Sequence, residues 1–127
     1  MSQSDYIRGN RPGIRIAKGQ YIAVNKRTLR SLGCPKYIIF WHSPKENTLF
    51  IACADERSDL SFPVADTYYR TRTGYQLQNT EFLNAVKNVA KWGDDVTCAV
   101  DGEYLDALGM VAFHLKNTRV MEDNSHE

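Results

Sequence analysis

Alternating and helical hydrophobic periods follow one another twice along the chain, and that order predicts its elements. Ile14-Arg15-Ile16 alternates apolar and polar positions as a short strand does. Gly19 interrupts it, and Tyr21-Ile22-Ala23-Val24 resumes extended apolar character. Asn25 then suits a helix N-cap, since its side-chain oxygen can accept from the first orphan N–H groups. Thr28, Leu29 and Leu32 form one apolar face of a short helix, and Gly33 is placed to end it. A hairpin comes next. Tyr37 to Trp41 is β-branched and aromatic, Ser43 to Asn47 is turn chemistry, and Thr48 to Cys53 is a second apolar strand.

After a polar stretch from Asp55 to Asp66, Thr67 to Arg72 reads as a short edge strand, its repeated Thr and Arg suiting a solvated edge. The plan then returns. Gly74 to Gln78 is extended, and Asn79 or Thr80 caps a helix carrying Phe82, Leu83, Val86, Val89 and Ala90 at helical spacing. That helix closes at Trp92-Gly93 and is the longer of the two. Val96 to Val100 is a strand, Asp101-Gly102 begins a turn, and Met110 to Leu115 is the return strand. Tyr21 and Asn25 lie four apart, as do Tyr75 and Asn79, and Leu29 and Leu83 each fall eight residues after their tyrosine. The expectation is one α+β domain over residues 1–127: tandem strand–helix–β-hairpin units forming a small mixed barrel or sandwich with two helices. Its parts are a basic arm (1–13), a first unit (14–54), a linker and edge strand (55–73), a second unit (74–116) and an acidic, frayed tail (117–127).

Charge changes this picture more than composition does. At 43% hydrophobic and 24% charged residues, the 127-residue chain has an ordinary globular mix. Its net charge of +1 conceals a split: residues 1–45 hold nine Lys/Arg against Asp5 alone, whereas residues 46–127 hold seven basic and fourteen acidic side chains. Such asymmetry points to a polyanion-binding face, or to halves that attract each other in the fold. The basic candidates are Arg8 and Arg11 in the arm, Arg15 and Lys18 around the first strand, and Lys26, Arg27 and Arg30 on the first helix. An arm of the kind Arg8-Gly9-Asn10-Arg11-Pro12-Gly13 can reach into a minor groove.

The stretch Gly19-Gln20-Tyr21-Ile22-Ala23-Val24-Asn25, followed by Lys26-Arg27-Thr28-Leu29-Arg30-Ser31-Leu32-Gly33, resembles the swapped-hairpin DNA-binding domain of the AbrB, SpoVT and MazE type. Leu32 and Gly33 stand at that family's spacing from Asn25, and Arg30 matches one of its basic helix positions. Asn25 replaces the family's usual proline, Gly19 is one position early, and Leu29 stands where an arginine is expected. The tandem arrangement is similar to MraZ-like regulators, and also to short proteins of mobile elements and phages. The resemblance implies a DNA-binding transcription regulator whose units pair, so that DNA and a homodimer are the expected partners.

A second reading rests on the acidic half. Asp94, Asp95, Asp101, Glu103 and Asp106 cluster around one hairpin, and a dense acidic face can imitate phosphate to occupy a basic groove on a host nuclease-type protein. That reading makes the chain a phage or mobile-element inhibitor. Catalysis is not expected, because neither Asp55-Glu56 nor Asp94-Asp95 implies convergent geometry and no phosphate loop is present. His42 reads as hairpin packing. Cys34, Cys53 and Cys98 lack CxxC spacing and, with His42, His114 and His126 scattered, suggest small buried hydrophobes with no metal and no cofactor. No apolar run approaches the ~20 residues of a membrane span, and residues 1–15 carry no signal-peptide h-region, so the expected location is cytoplasmic.

Overall fold

The computed structural model describes residues 11–17, 20–54, 61–70, 75–93 and 96–121. Their chain order is β1 (Gly13–Ile16), β2 (Ile22–Val24), α1 (Lys26–Ser31), β3 (Tyr37–Ser43), β4 (Thr48–Ala54), β5 (Ser61–Pro63), α2 (Thr67–Arg70), β6 (Tyr75–Leu77), α3 (Thr80–Ala90), β7 (Thr97–Leu105), β8 (Met110–His114), a 3-10 turn (Leu115–Asn117) and β9 (Arg119–Met121). All strand pairs are antiparallel. They run in the order β5-β3-β4-β8-β7-β1-β2-β6, with β9 added to β7. The result is a mixed α and β fold in which a curled, half-barrel sheet encloses the core, compatible with the small barrel expected.

Register explains the core. Ile14 and Ile16 of β1 pair with Val24 and Ile22 of β2 on one side and with Val100 and Cys98 of β7 on the other. Val24 and Ile22 pair in turn with Tyr75 and Leu77 of β6. A one-residue slip would turn both rows outward, so burial of these rows fixes the register. On the other half, Phe40–Ile51–Val111 and His42–Leu49–Phe113 form inward rows across β3, β4 and β8. The helices fill the hollow. Leu29 of α1 and Leu83 and Val86 of α3 join the same buried cluster, and Phe82 stacks against Phe40 and Phe62 at centroid distances of 4.5 and 5.1 Å.

β7 belongs to both curves of the sheet. Cys98 to Asp101 pair with β1, while Gly102 to Leu105 pair with β8. At the change-over stands Gly102, where a Cβ would lie 2.6 Å from the Phe113 ring and 2.9 Å from Val111. The expected Asp101-Gly102 turn is therefore corrected. Glycine serves close packing at this point, and the strand runs on to Leu105. The turn itself is 106–109, closed by Leu108 and Gly109 N–H donation to the Leu105 carbonyl, with Gly109 at φ 66°.

Three further expectations change. Thr67–Arg70 is a helical turn, not an edge strand: the Tyr68 and Tyr69 amides donate back to Ala65 and Asp66, and the Tyr69 hydroxyl donates to the Pro35 carbonyl at 2.7 Å. Those contacts override the strand propensity of Thr and Tyr. One edge of the sheet is instead β5, inside the stretch read as linker, and the other is β6. The tail is not frayed throughout, since Arg119–Met121 pairs with β7. Of the cysteines, Cys98 alone is buried, and Cys34 and Cys53 are exposed. The arm 1–10, Gly19, residues 55–60 and 71–74 and the tail 122–127 lie outside the described residues.

Gly102→Ala is expected to destabilise the fold by about 1–3 kcal/mol, because the Phe113 ring is itself fully buried and cannot swing away. Chemical denaturation against wild type measures it, and a change near zero would show that β7 shifts to admit the methyl.

Candidate nucleic-acid interface

One side chain ties the segment entering β1 to the first helix. Asn25 is the N-cap of α1, with its Oδ1 accepting from the Thr28 amide at 2.9 Å and from the Thr28 hydroxyl at 2.8 Å. The same oxygen accepts from the Gly13 amide at 3.2 Å, and Nδ2 donates to the Arg11 carbonyl at 2.7 Å. Thr28, fully buried, accepts from the Gly13 amide at 2.9 Å. The Pro12 carbonyl meanwhile accepts from the Gly102 amide at 2.8 Å. Arg11-Pro12-Gly13 is thus clamped by its backbone between the first turn of α1 and β7.

Arg27 and Arg30 are exposed and three apart, so they share a face of α1 opposite the buried Thr28 and Leu29. Lys26 and Arg27 occupy the helix's first turn, where no acid is present. Cations there oppose the helix dipole, a local misfit that stability does not require.

Arg15 points out of the sheet, since Ile14 and Ile16 point in. Across the strands its row reads Gln76–Ala23–Arg15–Ala99–Arg119. Two arginines therefore flank Ala99, roughly 10 Å apart at two strand spacings. Ala99 is fully buried on this outward row, as expected beneath long arginine stems. The Arg15 Nε is buried and has no hydrogen-bond partner among the described residues. Arg119 was not anticipated from sequence. Its signal was the short polar–apolar alternation Thr118-Arg119-Val120 after an apolar strand.

Asp101 ties the two halves. Its carboxylate lies 3.0 Å from Arg119 and 3.6 Å from Arg11, so one acid of the second half answers two arginines, one of them from the first. Part of the charge split is thus internal attraction. Asp101 is engaged as described, Glu103 contacts His114 at 3.2 Å, and Asp106 is exposed in the turn. These three are strung along roughly 17 Å of strand and turn. Asp94 and Asp95, like Arg8 and Lys18, fall outside the described residues.

One arrangement resembles a catalytic order: Thr48 Oγ1 lies 3.2 Å from His114 Nδ1, and His114 Nε2 is 3.2 Å from Glu103. Thr48, however, is 1% exposed, and its hydroxyl donates to the Glu46 carbonyl. The proton a nucleophile would surrender to histidine is aimed elsewhere, so the trio works as a cross-strand network. An open cleft of about 460 Å³ between β5 and β6 is lined by Lys36, Tyr37, Tyr68 and Tyr75. Burial, with Tyr68 adjacent, pushes the Tyr75 phenol up to about 12. Burial also raises Tyr69 to about 12, helped by Cys34 and Asp66.

Two outcomes follow from these contacts. Asn25→Ala is expected to cost about 1–2 kcal/mol from loss of the cap, and to make the Gly13 amide exchange faster in hydrogen-exchange measurements. An unchanged Gly13 protection would show that Thr28 alone holds the clamp. Tyr69 and Tyr75 stay neutral in the folded state at pH values where the unfolded chain has ionised. Their stability contribution is complete below pH 10 and is lost as pH rises from 10 toward 12. Two of the seven tyrosines should accordingly show late tyrosinate absorbance, removed one at a time by Tyr69→Phe and Tyr75→Phe; seven coincident titrations would refute it.

Compared with protein-family models, curated proteins and solved structures, the chain gives no significant match, so its function is argued from this geometry.

Proposed function

We propose that the chain binds duplex nucleic acid, as a DNA-binding regulator, through the basic end made by Arg11, Lys26, Arg27 and Arg30 with Arg15 and Arg119 beside it. The observation that carries the reading is the Asn25 clamp. It holds the Arg11 backbone against the first turn of α1, the helix that carries Lys26, Arg27 and Arg30. Among the described residues Asp101 is the acid seen to pair with them, and it is shared by two arginines. Neutralising phosphates with such side chains releases counterions and supplies sequence-independent affinity, while exposed arginines can make bidentate contacts to guanine edges. Binding, with no catalytic step, is the activity proposed.

A tandem, swapped-hairpin origin is supported by the pairing pattern. With the four-residue α2 between β5 and β6 set aside, β1-β2-α1-β3-β4 and β5-β6-α3-β7-β8 share one order of elements. Exchanging the two sets turns the β1–β7 pair into β5–β3 and β3–β4 into β7–β8, and leaves β4–β8 and β2–β6 unchanged, whereas β1–β2 has no counterpart because β5 and β6 stand at opposite ends of the order. Asn25 and Asn79 cap their helices by the same bond, to the amide three residues on, at 2.9 Å in each. Leu29 and Leu83, four residues after each cap, are both buried. The second unit keeps this frame without the charge, and its helix carries Glu81 in the first turn where α1 has Arg27. Nucleic acid is therefore assigned to the first unit. The inhibitor reading is less favoured, because Asp101 and Glu103 already have basic partners within the chain.

Fluorescence anisotropy with a labelled duplex at stepped salt tests the proposal. Affinity should fall steeply with salt, and Arg11→Ala, Arg27→Ala and Arg30→Ala together should lower the log–log slope by up to about 2.7, near 0.9 for each phosphate no longer neutralised. A flat salt response, or a triple variant that is folded by circular dichroism and binds as wild type, would sink it.

A further inference from the structure

The curled sheet does not close on itself. Its two edges are β5 and β6, and between them lies the open cleft of about 460 Å³. The connection from β5 to β6 carries α2, whose Tyr68 lines that cleft.

Strand register shows which main-chain groups face the opening. Bonded and non-bonded pairs alternate along an antiparallel ladder. The Asn25 amide donates to the Gly13 carbonyl, so Arg15–Ala23 is the next bonded pair of β1 and β2. Ile22 and Val24 therefore turn their N–H and C=O groups to β6, where Leu77 and Tyr75 meet them. The intervening Gln76 points its own N–H and C=O away from β2, to the open edge where it lines the cleft. Across the opening, the Val64 amide donates to the Lys36 carbonyl at 2.8 Å. By the same alternation the Pro63 carbonyl faces away from β3, toward the cleft. Proline has no N–H to set beside it, so β5 lacks the donor that pairing at this position requires.

The groups around the cleft match one kind of ring. Gln76 holds a main-chain donor and acceptor side by side, the pattern with which an amide grips the N7 acceptor and N6 amino donor of adenine. The Pro63 carbonyl and the Asp66 carboxylate add acceptors. Acceptors suit an amino group with two hydrogens and repel the O6 carbonyl of guanine. Tyr37 and Tyr68, both half-buried, supply aromatic rings for stacking. Lys36 is exposed at the margin, where its ammonium can meet a phosphate. The volume lies in the range of small-ligand sites, roughly 300–1,000 Å³.

From this pattern we infer that the cleft between β5 and β6 binds the adenine ring of a nucleotide. The Gln76 main chain reads the base, Tyr37 and Tyr68 stack on it, and Lys36 holds the phosphate. The inference goes beyond duplex binding and uses none of the residues assigned to it.

Isothermal titration calorimetry of the full chain with adenosine monophosphate, in the absence of duplex, tests it. The expected result is binding at least about fivefold tighter than that of guanosine monophosphate, the lower limit for one bidentate base contact. Gln76→Ala keeps the main chain and should bind as wild type. Gln76→Pro removes the outward N–H at an edge position that tolerates proline, and should abolish the preference for adenine. Tyr37→Leu should weaken binding of both nucleotides and serves if Gln76→Pro fails to fold by circular dichroism. Lys36→Ala should weaken the monophosphate several-fold and leave adenosine, which has no phosphate, unchanged. A single-stranded oligodeoxyadenylate that displaces the monophosphate marks an unpaired adenine of nucleic acid as a ligand; failure to displace it marks the free nucleotide. Absence of binding by either, equal affinity for the two monophosphates, or binding that Gln76→Pro and Tyr37→Leu both leave intact overturns the inference.

Discussion

β7 has to hydrogen-bond three strands while passing from one curve of the sheet to the other, and position 102 is where that demand is met. Its first half lies between β1 and β9, and its second half is bound to β8. Backbone ladders alone would let such a strand run straight. The Phe113 ring and the Val111 methyl press against it at Gly102, and the Gly102 amide is held by the Pro12 carbonyl. Core packing and the anchoring of the incoming chain thus converge on a residue with no side chain. Since interiors are packed to crystal-like density, the crossing admits little else.

The charge of the two halves is organised around the same strand. Asp101, one residue before the crossing, takes Arg11 from the segment that Asn25 clamps and Arg119 from the added strand β9. One carboxylate orders two cations without cancelling them, and Arg15 stands in the neighbouring row. Part of the opposition of charge seen along the chain thus becomes, in space, attraction within the fold. Toward the other end of β7 the outward rows that continue across β8, β4 and β3 are largely apolar, so a single strand borders polar contacts on its first half and apolar packing on its second.

Much of the local structure was legible. Asn25 and Asn79 cap their helices, Gly33 stops α1 at a φ of 86°, and the first hairpin stands where the apolar alternation placed it. These depend on contacts within a few residues. The failures share a different cause. Thr67–Arg70 coils because Tyr69 reaches Pro35, a contact 34 residues away. Asp101-Gly102 has the composition of a turn, yet Phe113 opposite makes it a packing site. Residues 119–121 read as tail until β7 offers them an unpaired edge.

The candidate site divides along the same line. The order of residues was enough to say which side chains are basic, that Arg27 and Arg30 share a helix face, and that strand–helix–hairpin order occurs twice, because periodicity and capping are properties of neighbouring residues. Folding in three dimensions was needed to bring Arg11 beside α1, to join Arg119 to Arg15 across Ala99, and to turn Asp101 and Glu103 to partners of their own. It also selected which apolar residues were left outside, since Phe50 and Ile51 are equally apolar in sequence and are separated only by the side of the sheet that curls inward. Strand pairing and curvature join residues distant along the chain, and no local pattern encodes the neighbour that another strand will bring.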